Sequence, residues 1–68
     1  MKIFISYQEM LQKNINVFDF IKVVEMIGYD VRVANNGLVV ATTVKKFQNK
    51  EIVFWEMKND IETLMNYF

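Results

Sequence analysis

Sixty-eight residues without a single cysteine or histidine, carrying a formal net charge of zero, leave few chemistries open. A chain this short buries only about 60% of the surface its unfolded form exposes, and of the usual staples for small domains, disulfides are excluded and the common zinc sites lack their ligands. Seven lysines and one arginine balance eight acids, so no global field draws the chain to phosphate backbones or anionic lipid, while 53% apolar and 15% aromatic residues leave surface for another chain to cover.

Lys2 to Ser6 alternates, with Ile3 and Ile5 on one side and Lys2, Phe4 and Ser6 on the other, which predicts a short strand. Ser6 and Glu9 have the spacing of a capping box, so a short helix is expected from Tyr7 to about Lys13. Asn14 to Asn16 interrupts it. Asn16 with Asp19 then caps a second helix from Val17 to Ile27, and Gly28, free to take a positive φ, stops it.

From Asp30 the period becomes two, and Asn36-Gly37 has the composition of a two-residue type I′ hairpin turn. That turn places Val33 opposite Val40 and Val31 opposite Thr42 on the buried face, with Ala34 opposite Val39 and Arg32 opposite Ala41 on the other. The strand from Leu38 is expected to run to about Lys46, followed by a connection through Phe47, Gln48, Asn49 and Lys50.

Glu51 to Met57 admits two readings. It is rich in strand formers, and Asn59 with Glu62 resembles a helix start near Asp60; together these predict a third hairpin-linked strand and a short final helix. Phe54, Met57, Ile61, Leu64 and Phe68 also fall on one helical stripe, which one long helix would explain. With no proline, linker or repeat, residues 1–68 are read as a single α+β domain, β-α-α-β-β-(β)-α: an antiparallel meander with helices packed on one face.

Reactive groups are few. Without histidine or cysteine the usual general bases and sulfur nucleophiles are missing, and Ser6, the sole serine, is occupied as a cap. Asp60 with Glu62, or Glu51 with Glu56, are the nearest carboxylate pairs for a metal, but acids in the first turn of a helix are already explained by its dipole. No phosphate-cradling or calcium-loop motif is present. No enzyme activity and no cofactor are expected.

The stretch FIKVVEMIGYDVRV, with the helix-break-helix order before it, resembles over residues 17–33 the last helix and trailing strand of small phage-repressor-type helix-turn-helix proteins. That resemblance implies a DNA-binding regulator. The residues themselves argue for protein contact: the second helix offers only Asp19, Lys22 and Glu25 as polar positions, two acids against one lysine, on a helix with eight apolar positions of eleven. Such a helix needs cover on more than one side.

The expected protein-interface residues are therefore Trp55, Phe54, Phe47, Lys22 and Tyr67, with the outward member of the adjacent Phe54–Trp55 pair as the anchor. Nucleic-acid contact, the alternative, would use Lys45, Lys46, Lys50 and Arg32 around Phe47; lysines at a strand end also serve to keep an edge from pairing. No apolar run approaches the roughly 20 residues of a membrane span, and MKIFIS lacks the pattern of a signal peptide.

Lys, Asn, Ile, Phe and Tyr, whose codons are AT-rich, account for 30 of the 68 residues. A low-GC bacterium or its phage is the expected source, with a cytoplasmic location. The reading that follows is a non-catalytic, homodimeric binding module: a phage- or mobile-element-encoded inhibitor of a host or defence protein, anti-CRISPR-like in kind.

Overall fold

A computed structural model describes residues 2–42 and 49–68. In chain order they form β1 (Lys2–Ser6), α1 (Tyr7–Gln12), α2 (Val17–Met26), β2 (Tyr29–Val33), β3 (Gly37–Thr42) and α3 (Lys50–Tyr67). The arrangement is α+β: one antiparallel sheet in the order β1-β3-β2, with the helices packed on one face. β1 therefore joins β3, and the β2–β3 hairpin is extended on the side away from β2.

The helix starts are set by their caps. Ser6 Oγ accepts the Glu9 N–H at 3.1 Å and Asn16 Oδ1 accepts the Asp19 N–H at 3.1 Å, as the spacings predict. α1 ends in a Schellman motif: Asn14 has φ 56, its N–H donates to Leu11 O, and Ile15 N–H donates to Met10 O at 2.9 Å. Gly28 takes φ 104 directly after α2, the conformation a side chain would resist.

Two faces of the sheet follow from the pairing. Ile3, Val40 and Val31 form one row and Ile5, Leu38 and Val33 the next, on the face that carries the helices. Ile5, Leu38 and Val40 meet Met10, Ile15, Phe20, Val24, Met57, Ile61 and Met65 in the core, and the Phe20 and Phe68 rings lie edge to face with centroids 5.7 Å apart. Lys2, Ala41 and Asp30, then Phe4, Val39 and Arg32, occupy the opposite face.

The hairpin register differs from expectation by two residues. Val33 faces Leu38, Arg32 faces Val39 and Val31 faces Val40, and Ala34 N–H donates to Gly37 O at 2.8 Å, so Asn35 and Asn36 make the turn. Gly37 belongs to the strand and its φ is not positive. A Cβ there would collide with the Ile5 carbonyl oxygen and stand 2.9 Å from Phe4 Cζ; close approach of β1, with the Phe4 ring lying across, is what requires glycine. A slip of two residues preserves the side-chain face, so Val31 and Val40 stay on the core side, whereas Val33, expected on the buried face, ends the edge strand and is left 70% exposed.

The expected strand over 51–57 is part of α3. Asn49 Oδ1 accepts the N–H groups of Glu51 (2.9 Å) and Ile52 (3.4 Å), starting a helix ten residues before the Asn59 signal. Asn59 is interior, its carbonyl accepting from Thr63 Oγ1 at 2.9 Å. Met57, Ile61 and Met65 are buried and Phe54 and Leu64 half-buried, a stripe of about three turns that no strand could present to one core. The expected continuation of β3 to Lys46 lies outside the described residues beyond Thr42.

Tyr29 ties β2 to α3: its phenol donates to Asp60 Oδ2 at 2.6 Å. Burial, the hydrogen bond to Asp60 and the charges of Asp60 and Glu56 together push the Tyr29 phenol well above the ordinary tyrosine value. The protonated form is thus favoured in the folded state. Stability from this contact is fully present below about pH 10 and is lost as pH rises through the raised value. The melting-temperature gap between wild type and Tyr29→Phe is expected to hold constant up to about pH 9 and narrow above pH 10; a gap unchanged to pH 11 would count against it.

Candidate protein-binding surface

The 18-residue span of α3 sets the geometry of the most differentiated surface. With its core stripe turned to the sheet, the helix directs Trp55 away from the core, where it remains 65% exposed, while Phe54 packs on the core one helical step earlier. Lys58 and Glu62, spaced i and i+4, run along the flank that faces β1.

Between that flank, α1 and β1 lies a groove of about 310 Å³. Ile3, Ile5, Ile61 and Met65 supply its apolar lining, and Glu9, Lys13, Lys58 and Glu62 its charged side chains. Two lysines and two glutamates leave it neutral, so binding there would draw on apolar burial and local pairing rather than on a long-range field. Lys58 and Glu62 also line a second recess of about 190 Å³ with Trp55 and Asn59. The groove and the tryptophan thus form one continuous surface.

The expected site residues fall into four groups. Trp55 stands on this surface. Phe54 is half-buried against the core, Lys22 is exposed on α2, and Tyr67 is 87% exposed in the last turn of α3, so these three are not gathered with Trp55. Phe47, Lys45 and Lys46 lie outside the described residues. Lys50, the first residue of α3, and Arg32, on β2, are both exposed and belong to different elements.

Asp60 and Glu62, two positions apart on one continuous helix, point to nearly opposite sides: Asp60 takes the Tyr29 hydrogen bond and Glu62 lines the groove. They stand in mid-helix rather than in a first turn, so the dipole does not account for them. Among the described residues, no three carboxylates come together as a metal site would require, and no helix is long and apolar enough to cross a membrane.

Sequence reasoning missed the groove, because Lys58, Glu62 and Met65 share a flank only when α3 runs unbroken from Lys50 to Tyr67. The i, i+4 spacing of Lys58 and Glu62 was the available signal. It also left open which apolar residues of α2 stay in solvent. Phe18 and Met26, 77% and 84% exposed, share the outer side of that helix with Asp19, Lys22 and Glu25. No protein-family model, no curated protein and no solved structure matches the chain.

Proposed function

We propose that the chain is a non-catalytic binding module that acts as a homodimer and inhibits a host or defence protein by surface complementarity. Its AT-biased coding composition suits a phage or mobile element of a low-GC bacterium, with action in the cytoplasm and an anti-CRISPR-like role. The observation that carries the reading is Trp55: a large aromatic, exposed, next to an apolar-lined groove with mixed charges. Tryptophan in such a setting is the residue type whose truncation most often costs more than 2 kcal/mol of binding.

The test is affinity capture from lysate of a low-GC Firmicute, with and without nuclease, using wild type and Trp55→Ala side by side. Trp55 is outside the core, so the substitution is expected to leave folding within about 0.5 kcal/mol of wild type. One protein retained after nuclease, and depleted at least tenfold by Trp55→Ala, is the expected result. Retention indifferent to Trp55→Ala would remove this surface from the reading.

The alternative, a helix-turn-helix regulator, draws on the succession of α1, a four-residue break and α2. It requires recovery that disappears with the nucleic acid, affinity that falls steeply with salt, and loss of binding on Lys22→Glu. Against it stand Asp19 and Glu25, which flank Lys22 on the exposed side of α2 and would repel phosphates.

A further inference from the structure

The β2 edge has a property that β1 lacks. In an antiparallel ladder, residues alternate between bonding their partner strand and directing N–H and C=O away from it. Ala34 N–H donates to Gly37 O, so Arg32 and Asp30 bond β3 in the same way, opposite Val39 and Ala41. On the other side of β3, the Tyr7 N–H to Asn36 O bond shows that even-numbered residues of β3 serve β1. The two patterns agree. Tyr29, Val31 and Val33 consequently direct their backbone groups out of the sheet edge, where no described strand meets them.

Three antiparallel registers could satisfy those outward groups with a second β2. Pairing Tyr29 with Val31 of the copy sets Asp30 against Asp30. Pairing Val31 with Val33 sets Arg32 against Arg32. Only the register with Val31 opposite Val31 places Asp30 opposite Arg32, twice, with Tyr29 opposite Val33. Opposite charges directly across a ladder stabilise it and like charges destabilise it, so the side chains select one register of the three.

We propose that two copies of the chain pair through β2 about a two-fold axis at Val31, making a six-stranded sheet closed by about six main-chain hydrogen bonds. This specifies the interface of the homodimer proposed above and rests on that reading. The axis puts both copies of α2 on the same face, each over its own β2, so they become neighbours. α2 and its C-cap residue also leave Phe18, Met26 and Ile27 exposed. β1 is the poorer edge: pairing about Phe4 sets Lys2 against Ser6 with no ion pair, and a terminal lysine discourages such contact. The groove and Trp55, on the β1 side, remain open in this dimer.

Asp30 and Arg32 are exposed on the face away from the core, so their substitution leaves the fold intact, with circular dichroism as the control. Sedimentation equilibrium of wild type is expected to show a dimer, with Asp30→Arg and Arg32→Asp each weakening it at least tenfold. The double variant D30R/R32D should dimerise again, and so should a one-to-one mixture of the two single variants, because each of those pairings restores two opposite-charge contacts. Protection of the Val31 amide from hydrogen exchange should rise with protein concentration.

Wild type that stays monomeric at several hundred micromolar overturns the homodimer reading and this interface together. A wild-type dimer that the single substitutions leave untouched, or that the double variant fails to restore, overturns the β2 interface alone.

Discussion

Gly37→Ala is expected to cost about 3 kcal/mol or more, against roughly 3–10 kcal/mol for a whole domain of this length. The added Cβ has nowhere to go: it meets the Ile5 carbonyl oxygen, a backbone atom in the adjacent strand, and the Phe4 ring beside it. Relief requires β1 to move off β3, which breaks the central pairing of the sheet. Gly28→Ala supplies the control, because a Cβ there has nothing within 4 Å and only the φ of 104 opposes it, a cost of about 1–2 kcal/mol. Urea titrations of both variants should therefore place the Gly37→Ala midpoint well below that of Gly28→Ala. Equal midpoints would mean that β1 and β3 are not held this closely.

Phe20→Ala should lose about 3–5 kcal/mol, enough to leave much of the population unfolded at 25 °C. Among the described residues Phe20 is the largest fully buried side chain, on the α2 face that meets the core. Truncation leaves a cavity among Val24, Leu38 and their neighbours that β-sheet backbone cannot collapse to fill. The edge-to-face contact with Phe68 adds a separable part, about 0.5–1.5 kcal/mol. A double-mutant cycle with Phe68→Ala isolates it, since Phe68 is itself partly exposed and its own loss is smaller. A cycle that closes to zero would show the two rings act independently.

The first two helix caps and the glycine stop, each confined to one turn of chain, were legible and correct. Ser6 and Asn16 each sit three residues before the N–H they accept, and Gly28 follows the Ile27 C-cap of α2, so neither cap nor stop needs information from elsewhere. The alternation of Lys2 to Ser6 and of Asp30 to Val33 likewise gave both faces, even where the register slipped. Asn36-Gly37 misled because its composition fits two environments. Glycine is wanted where φ is positive and also where another strand comes close, and a single sequence does not distinguish them. The same ambiguity hid α3: Ile52 to Trp55 suits a strand, and the deciding facts are the Asn49 cap and a core that receives Met57, Ile61 and Met65 at once.

By itself, the sequence determined the order of the elements through β3, the two sides of β1, the polar stripe of α2, and the absence of disulfide and histidine chemistry, because local hydrogen bonds and side-chain periodicity dictate these. Tertiary structure decided that β1 joins β3, that Gly37 serves a close contact, that 50–67 is one helix, and that Trp55 stands beside a groove. Each of those depends on atoms distant in the chain competing for the same space, and packing resolves that competition only after the local elements exist.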